Sequence, residues 1–292
     1  MQKIFILFLL MLSPFVLAQE PPKGQDTTTS GFRGANGSGG PDAFGYTYND
    51  SSTGMCSSQF IDISATGTSV ITGDDAAAPV TLAGSFDFYG NTVTDLSVGT
   101  NGYLTTDLAA TGGDLSNDCP LPVTPSTDGG ARIYPLHDDL DVDPGSVYYQ
   151  FFSVCPRPSD NYPSQNLGCH VFHWDDANHW PDDATKFDFE VLIYELSYEI
   201  VMVHDGRNPE LGSGSTTGLQ NDGATDGLTY ACDTAASIPA SSAQCFVHPN
   251  PDSSLTAVPA LPVPMNNKIM LVVLSLLLAM MAFAVIRRRQ NV

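Results

Sequence analysis

Between Phe60 and His204 the chain runs in short apolar or alternating stretches, broken by turn residues at intervals of roughly ten, which leaves room for strands and little for helices. The stretches are Phe60 to Ile63, Val80 to Phe88, Thr94 to Val98, Gly102 to Thr106, Ala131 to Leu136, Ser146 to Val154, His170 to Trp174, Phe187 to Glu195 and Glu199 to His204. In Phe187-Asp188-Phe189-Glu190-Val191 apolar residues alternate with acids, the period of a strand with one buried face. Glu199 to His204 then returns after a tight Leu196-Ser197-Tyr198 turn, making a hairpin. Asn101-Gly102 between apolar runs suits a type I′ turn, since both residues tolerate positive φ. No segment away from the termini sustains a 3.6-residue period with caps. The expectation is an all-β chain whose body, 41–248, forms a single β-sandwich domain.

The two ends differ from that body. Met1 to Ala18 carries one Lys, an apolar run from Ile4 to Leu12 and small or apolar residues before Gln19, and reads as a signal peptide (1–18) cleaved on export. Residues 19–40 are rich in Gly, Pro, Thr and Ser and read as a flexible lead-in. Residues 249–268 form a Pro-rich stalk. Ile269 to Ile286 follows without a charge, and at about 1.5 Å per residue it nearly crosses a hydrocarbon layer of about 30 Å. The segment 287–292 contains Arg287, Arg288 and Arg289, which place the C-terminus in the cytoplasm and the body outside it.

All 32 acids lie between Glu20 and Asp252, where the only bases are Lys23, Arg33, Arg132, Arg157, Lys186 and Arg207. A chain of net charge −21 repels phosphate, so nucleic acid is excluded as a partner. Cys56, Cys119, Cys155, Cys169, Cys232 and Cys245 are even in number, and in an oxidising compartment they pair. No C-x-x-C spacing offers a zinc ribbon or a thioredoxin site. Short Pro- or Ser-rich loops favour Cys155 with Cys169 and Cys232 with Cys245, leaving Cys56 with Cys119.

In HDDLDVDPG, Asp139, Asp141 and Asp143 would share one face of an extended segment, close enough to hold a hard cation, with Ca²⁺ the candidate cofactor. This is not an EF-hand: Pro144 takes the place of the turn glycine, Gly145 comes one residue late, and Gln150 stands where a bidentate Glu is needed. A solvated acidic loop is the alternative. His170, His173 and His179 read as ordinary histidines, because residues three apart on a strand face opposite ways and no HExxH helix is present. No G-x-S-x-G marks a nucleophile, and among 32 acids some pair meets glycosidase spacing by chance.

Two resemblances add to this reading. Val258, Pro259 and Leu261, followed by the apolar segment and the arginines, resemble bacterial C-terminal sorting signals of the IPTL-CTERM type; Ala260 replaces the usual Thr and the Ser-Glu-Trp that commonly follows is missing. That resemblance implies a C-terminal processing protease that removes the helix as a partner, with permanent membrane anchoring through the helix as the alternative. In the body, Gly40-Pro41-Asp42-Ala43-Phe44-Gly45-Tyr46, Phe88-Tyr89-Gly90-Asn91, Val98-Gly99-Thr100-Asn101-Gly102-Tyr103-Leu104, Pro135-Leu136-His137-Asp138-Asp139-Leu140-Asp141 and Phe189 to Glu195 resemble a nidogen-type (NIDO-like) β domain. The Cys155 to Cys169 insertion departs from that pattern. The resemblance implies a β-rich adhesive or accessory module at the cell surface, without catalytic residues of its own and with a surface or matrix ligand. The expected protein is therefore a non-enzymatic, exported, structural or adhesive module, stabilised by Ca²⁺ and anchored or sorted by its tail. The alternative is a secreted hydrolase with a carboxylate-based active site.

Overall fold

The computed structural model describes residues 32–33, 37–116, 119–208 and 211–255. Sixteen strands build two antiparallel sheets, and the only helical element among the described residues is a 3₁₀ turn at Ser51–Thr53. The strands are β1 (Phe32–Arg33), β2 (Ser38–Gly39), β3 (Thr47–Asp50), β4 (Thr68–Ile71), β5 (Ala77–Phe88), β6 (Asn91–Gly99), β7 (Tyr103–Thr105) and β8 (Arg132–His137), then β9 (Leu140–Asp141), β10 (Ser146–Phe152), β11 (Cys169–His179), β12 (Asp182–Tyr194), β13 (Ile200–His204), β14 (Thr216–Gln220), β15 (Gly227–Cys232) and β16 (Ser242–Val247). One sheet has seven strands in the order β1-β15-β14-β8-β7-β6-β5; the other has nine, β2-β3-β16-β13-β12-β11-β10-β4, with β9 paired to β11.

The main core lies between the sheets. Val80, Phe86, Phe88, Val98, Leu104 and Ile133 from the seven-stranded sheet meet Phe172, Trp174, Phe189, Val191, Ile200 and Met202 from the other. Trp174 stacks on Phe189 with ring centroids 5.0 Å apart, and its Nε1 donates to the Gly99 carbonyl across the interface at 3.0 Å. In β5 the alternation of exposed and buried residues follows the pleat. The centre of the nine-stranded sheet lacks that alternation because both faces are covered. Ile200 and Met202 enter the main core, whereas Val201 and Val203 enter a second cluster with Leu192, Tyr194, Ile61, Ile63 and Leu167 on the outer face. Phe60 to Ile63, expected to be a strand, is instead irregular chain laid over this face.

The outer cover holds buried charge. Arg157 donates to the Ser57 carbonyl and the Tyr194 hydroxyl and pairs with Asp160. Glu199, 1% exposed, accepts from the Ser159 hydroxyl and the Asn161 amide. Burial pushes its carboxyl up to about 7, against those hydrogen bonds and the Arg157 charge.

The cysteines tie cover to sheet. Cys155 joins Cys169 as the sequence indicates, but the other expected pairs do not form: Cys56 joins Cys245 (Cα–Cα 5.7 Å) and Cys119 joins Cys232 (6.1 Å). Cys232 ends β15 in the seven-stranded sheet and Cys245 lies in β16 of the nine-stranded sheet, so the short chain between them crosses from one layer to the other. Each then meets the segment covering its own sheet.

The β12–β13 hairpin forms as expected, with Leu196 and Tyr198 at positive φ and Tyr194 N–H bonded to the Glu199 carbonyl at 3.0 Å. The β6–β7 turn is not type I′. Gly99 pairs with Tyr103, leaving three turn residues, of which only Gly102 takes positive φ (72°); this is the three-residue hairpin closed by a left-handed glycine. The packed body also exceeds the expected bounds. β1 pairs with β15 and β2 with β3 inside the supposed lead-in, while Asp252 N–H bonds the Leu196 carbonyl at 2.7 Å and Leu255 packs on the outer cluster. The expected signal peptide, the motif at Val258, Pro259 and Leu261, the apolar segment and Arg287 to Arg289 lie outside the described residues. Among the described residues no helix is long and apolar enough to cross a membrane.

Candidate functional site

Three connections converge at one corner of the sandwich: the β4–β5 link, the β6–β7 turn and the loop around β9. Asn101 at the tip of the turn is fully buried and organises them. Its Oδ1 accepts from Leu140 N–H at 2.8 Å, and its Nδ2 donates to Asp75 Oδ1 at 2.8 Å and to the Gly112 carbonyl at 2.9 Å. Its own carbonyl accepts from Asp138 N–H at 3.4 Å and lies 2.8 Å from His137 Nδ1. A single amide side chain therefore fixes both acidic segments against each other.

The β4–β5 link is held to the β9 loop by backbone as well. Asp74 forms a bridge with Asp141, Val142 N–H bonds the Gly73 carbonyl at 3.0 Å, and Thr72 Oγ1 donates to the Val142 and Gly145 carbonyls at 2.8 and 2.9 Å. Asp75 takes positive φ (47°). As a result Asp74, Asp75 and Asp139 each bring a carboxylate oxygen within 4.8 Å of the others, with Asp139 only 5% exposed.

The trio expected from the sequence, Asp139, Asp141 and Asp143, is not brought together. β9 is only two residues long, so the period-two argument has no strand to act along. Asp141 instead turns its carboxylate back to accept Asp143 N–H at 2.8 Å, an Asx-type turn. Asp138 lies beside His179, its Oδ2 3.4 Å from Nε2. Of the expected ligands only Asp139 faces the cluster; its companions Asp74 and Asp75 come from a segment more than sixty positions earlier in the chain. The adjacent acids in Thr72-Gly73-Asp74-Asp75 were the available signal, but nothing local links them to Asp139. An all-oxygen donor set suits a hard cation such as Ca²⁺ better than a soft one.

A family model described as NIDO related matches residues 47–256. No curated protein and no solved structure matches the chain. The matched segment is well over half of the sequence and includes the acidic corner, both sheets' central strands and all three disulfides. The chain belongs to the NIDO-related family.

Proposed function

We propose that this member of the NIDO-related family is an exported structural or adhesive module that binds Ca²⁺ at Asp74, Asp75 and Asp139, and that its tail anchors it or directs its sorting. The extracellular part of the reading rests on the family and on three disulfides, which persist only where thiols are kept oxidised. The calcium part rests on one observation: three carboxylates from two distant segments are held within 4.8 Å by the buried Asn101. A cation there would relieve their repulsion and clamp the β4–β5 link to the β9 loop. Water and backbone oxygens would complete its coordination shell.

Thermal unfolding of the full chain with and without Ca²⁺ tests this. At a concentration 100 times the dissociation constant, binding to the folded state adds about 2.7 kcal/mol, a rise in Tm of roughly 5–10 °C for a body of this size. Asp75→Asn and Asp139→Asn should each abolish the rise, whereas Asp143→Asn should leave it. An unchanged Tm in the unsubstituted chain refutes the calcium site. Intact mass of the native mature protein tests the tail: loss of everything from Met270 onward supports sorting, and retention of Arg287 to Arg289 means permanent anchoring.

A further inference from the structure

A second cluster of ligating side chains occupies the outer face of the nine-stranded sheet, where the loop cover ends. Successive outward residues of β11 are Val171, His173 and Asp175; in the neighbouring register His173 faces Glu190 of β12, with Asp188 the next outward residue. Val171 is sealed under the cover, but the sheet beyond it is polar. His173 is 1% exposed, and neither ring nitrogen has a hydrogen-bond partner. The nearest carboxylate oxygens are Asp62 Oδ1, 3.9 Å from Nδ1, and Asp175 Oδ1, 4.0 Å from Nε2. Phe60 closes over the ring edge-on, with centroids 5.0 Å apart.

One ligand atom from each of His173, Asp175 and Asp188 lies within 4.8 Å of the other two. Ligands on a tetrahedral Zn²⁺ at about 2.0–2.2 Å lie about 3.3–3.6 Å apart, so the three side chains must draw together by up to about 1 Å to close the set. An imidazole nitrogen with two carboxylates is a donor set for zinc-class ions rather than for Ca²⁺. On the far side of the imidazole the Asp62 carboxylate stands 3.9 Å from the other nitrogen, so a shift of about 1 Å would make the carboxylate hydrogen bond a ligating histidine ordinarily has. The charge also balances, since a divalent ion neutralises Asp175 and Asp188 while the histidine stays neutral. Of the two carboxylates, Asp188 is already met by a guanidinium. Arg207, half exposed, pairs with Asp188, with Asp176 at 2.7 Å and with Asp205 at 3.6 Å.

We propose that His173, Asp175 and Asp188 form a binding site for Zn²⁺ or a similar divalent transition metal, with Asp62 orienting the imidazole and Arg207 as the cation the metal displaces. Histidines three apart on a strand face opposite ways, but a histidine and an acid two apart, such as His173 and Asp175, necessarily share a face. The site is separate from the acidic corner and stands or falls independently of it.

The test is a Zn²⁺ titration of the chelator-stripped full chain in competition with a chromophoric zinc chelator, in excess Ca²⁺. One high-affinity equivalent is expected. His173→Gln and Asp175→Asn should each weaken it by more than the roughly 10–100-fold typical of outer-shell changes. Asp75→Asn should not change it. Because His173 is buried, the half-exposed Arg207→Ala provides the check that does not depend on core folding: removing the competing cation should tighten zinc several-fold. Absence of tight zinc binding, affinity indifferent to Asp175→Asn, or weaker binding in Arg207→Ala would each overturn the assignment.

Discussion

Glu199→Gln isolates the energetic cost of a buried carboxylate in the outer cover. The carboxyl ionises near 4.5 when exposed and near 7 when folded, because burial disfavours its charge more than Ser159, Asn161 and Arg157 favour it. Between those values the unfolded chain has lost the proton that the folded chain keeps, so stability falls as pH rises through the window. Linkage puts the cost at about 1 kcal/mol at pH 5 and about 3 kcal/mol at pH 8. Glutamine keeps the shape and cannot ionise, so the gap between variant and parent should move in the variant's favour by about 2 kcal/mol from pH 5 to pH 8. The comparison cancels other slopes. Burial also raises Glu190, giving a slope of the same sign, and lowers His170, His173 and His204 to about 4, which makes stability rise with pH between about 4 and 6.5. Urea unfolding of both proteins at pH 5, 6, 7 and 8 reads the difference. Parallel curves would show that Glu199 ionises in the folded protein as freely as in water, and the reasoning would fail.

Other expected outcomes follow from the packing. Trp174→Ala should cost about 3–5 kcal/mol in denaturant unfolding, since it empties the space against Phe189 and strips the Gly99 carbonyl of its donor; a loss below 1 kcal/mol would contradict its place at the inter-sheet core. Gly102→Ala should destabilise both the fold and the calcium response, because a Cβ there collides with the Leu136 carbonyl at a left-handed φ. A peptide map under non-reducing conditions should link Cys56 with Cys245 and Cys119 with Cys232, and a Cys232–Cys245 peptide would refute the layer assignment. Replacing both Cys56 and Cys245 by Ser should lower stability by up to about 5 kcal/mol, the chain-entropy value for so long a loop.

Strands whose character is local were readable in the sequence. The strand at Phe187 to Val191, the Leu196-Ser197-Tyr198 turn and the apolar run at Val80 to Phe88 all appear where their patterns place them, but the acidic face of Phe187 to Val191, expected to be solvated, is covered, leaving Asp188 and Glu190 buried. β14, β15 and β16 were not, because Thr216 to Gln220 and Ser242 to Val247 are buried strands rich in Thr, Gly, Ser and Gln, whose burial comes from neighbours rather than from their own hydrophobicity. Missing them misplaced the disulfides, since only these strands put Cys232 and Cys245 on separate layers. The acidic corner fails to be legible for the same reason. Asp139 could be singled out, but its companions are selected by Asn101, whose side-chain role is invisible until the turn is folded.

The Cys56–Cys245 bond bridges 189 positions of sequence and lands on β16, the direct neighbour of β3. A load drawn through Phe32 and Leu255 would cross the sulfurs and bypass nearly everything between them. Only the two short flanks could pay out. Cleaving that one bond would hand the load to the strands outside the Cys119–Cys232 loop and free roughly 260 Å of contour length at about 3.3–3.6 Å per residue, because the second bond still bypasses 113 of the 189 positions. The reach of the molecule under tension is thus set in two steps by the thiol–disulfide balance of two nested bonds rather than by the strength of its sheets.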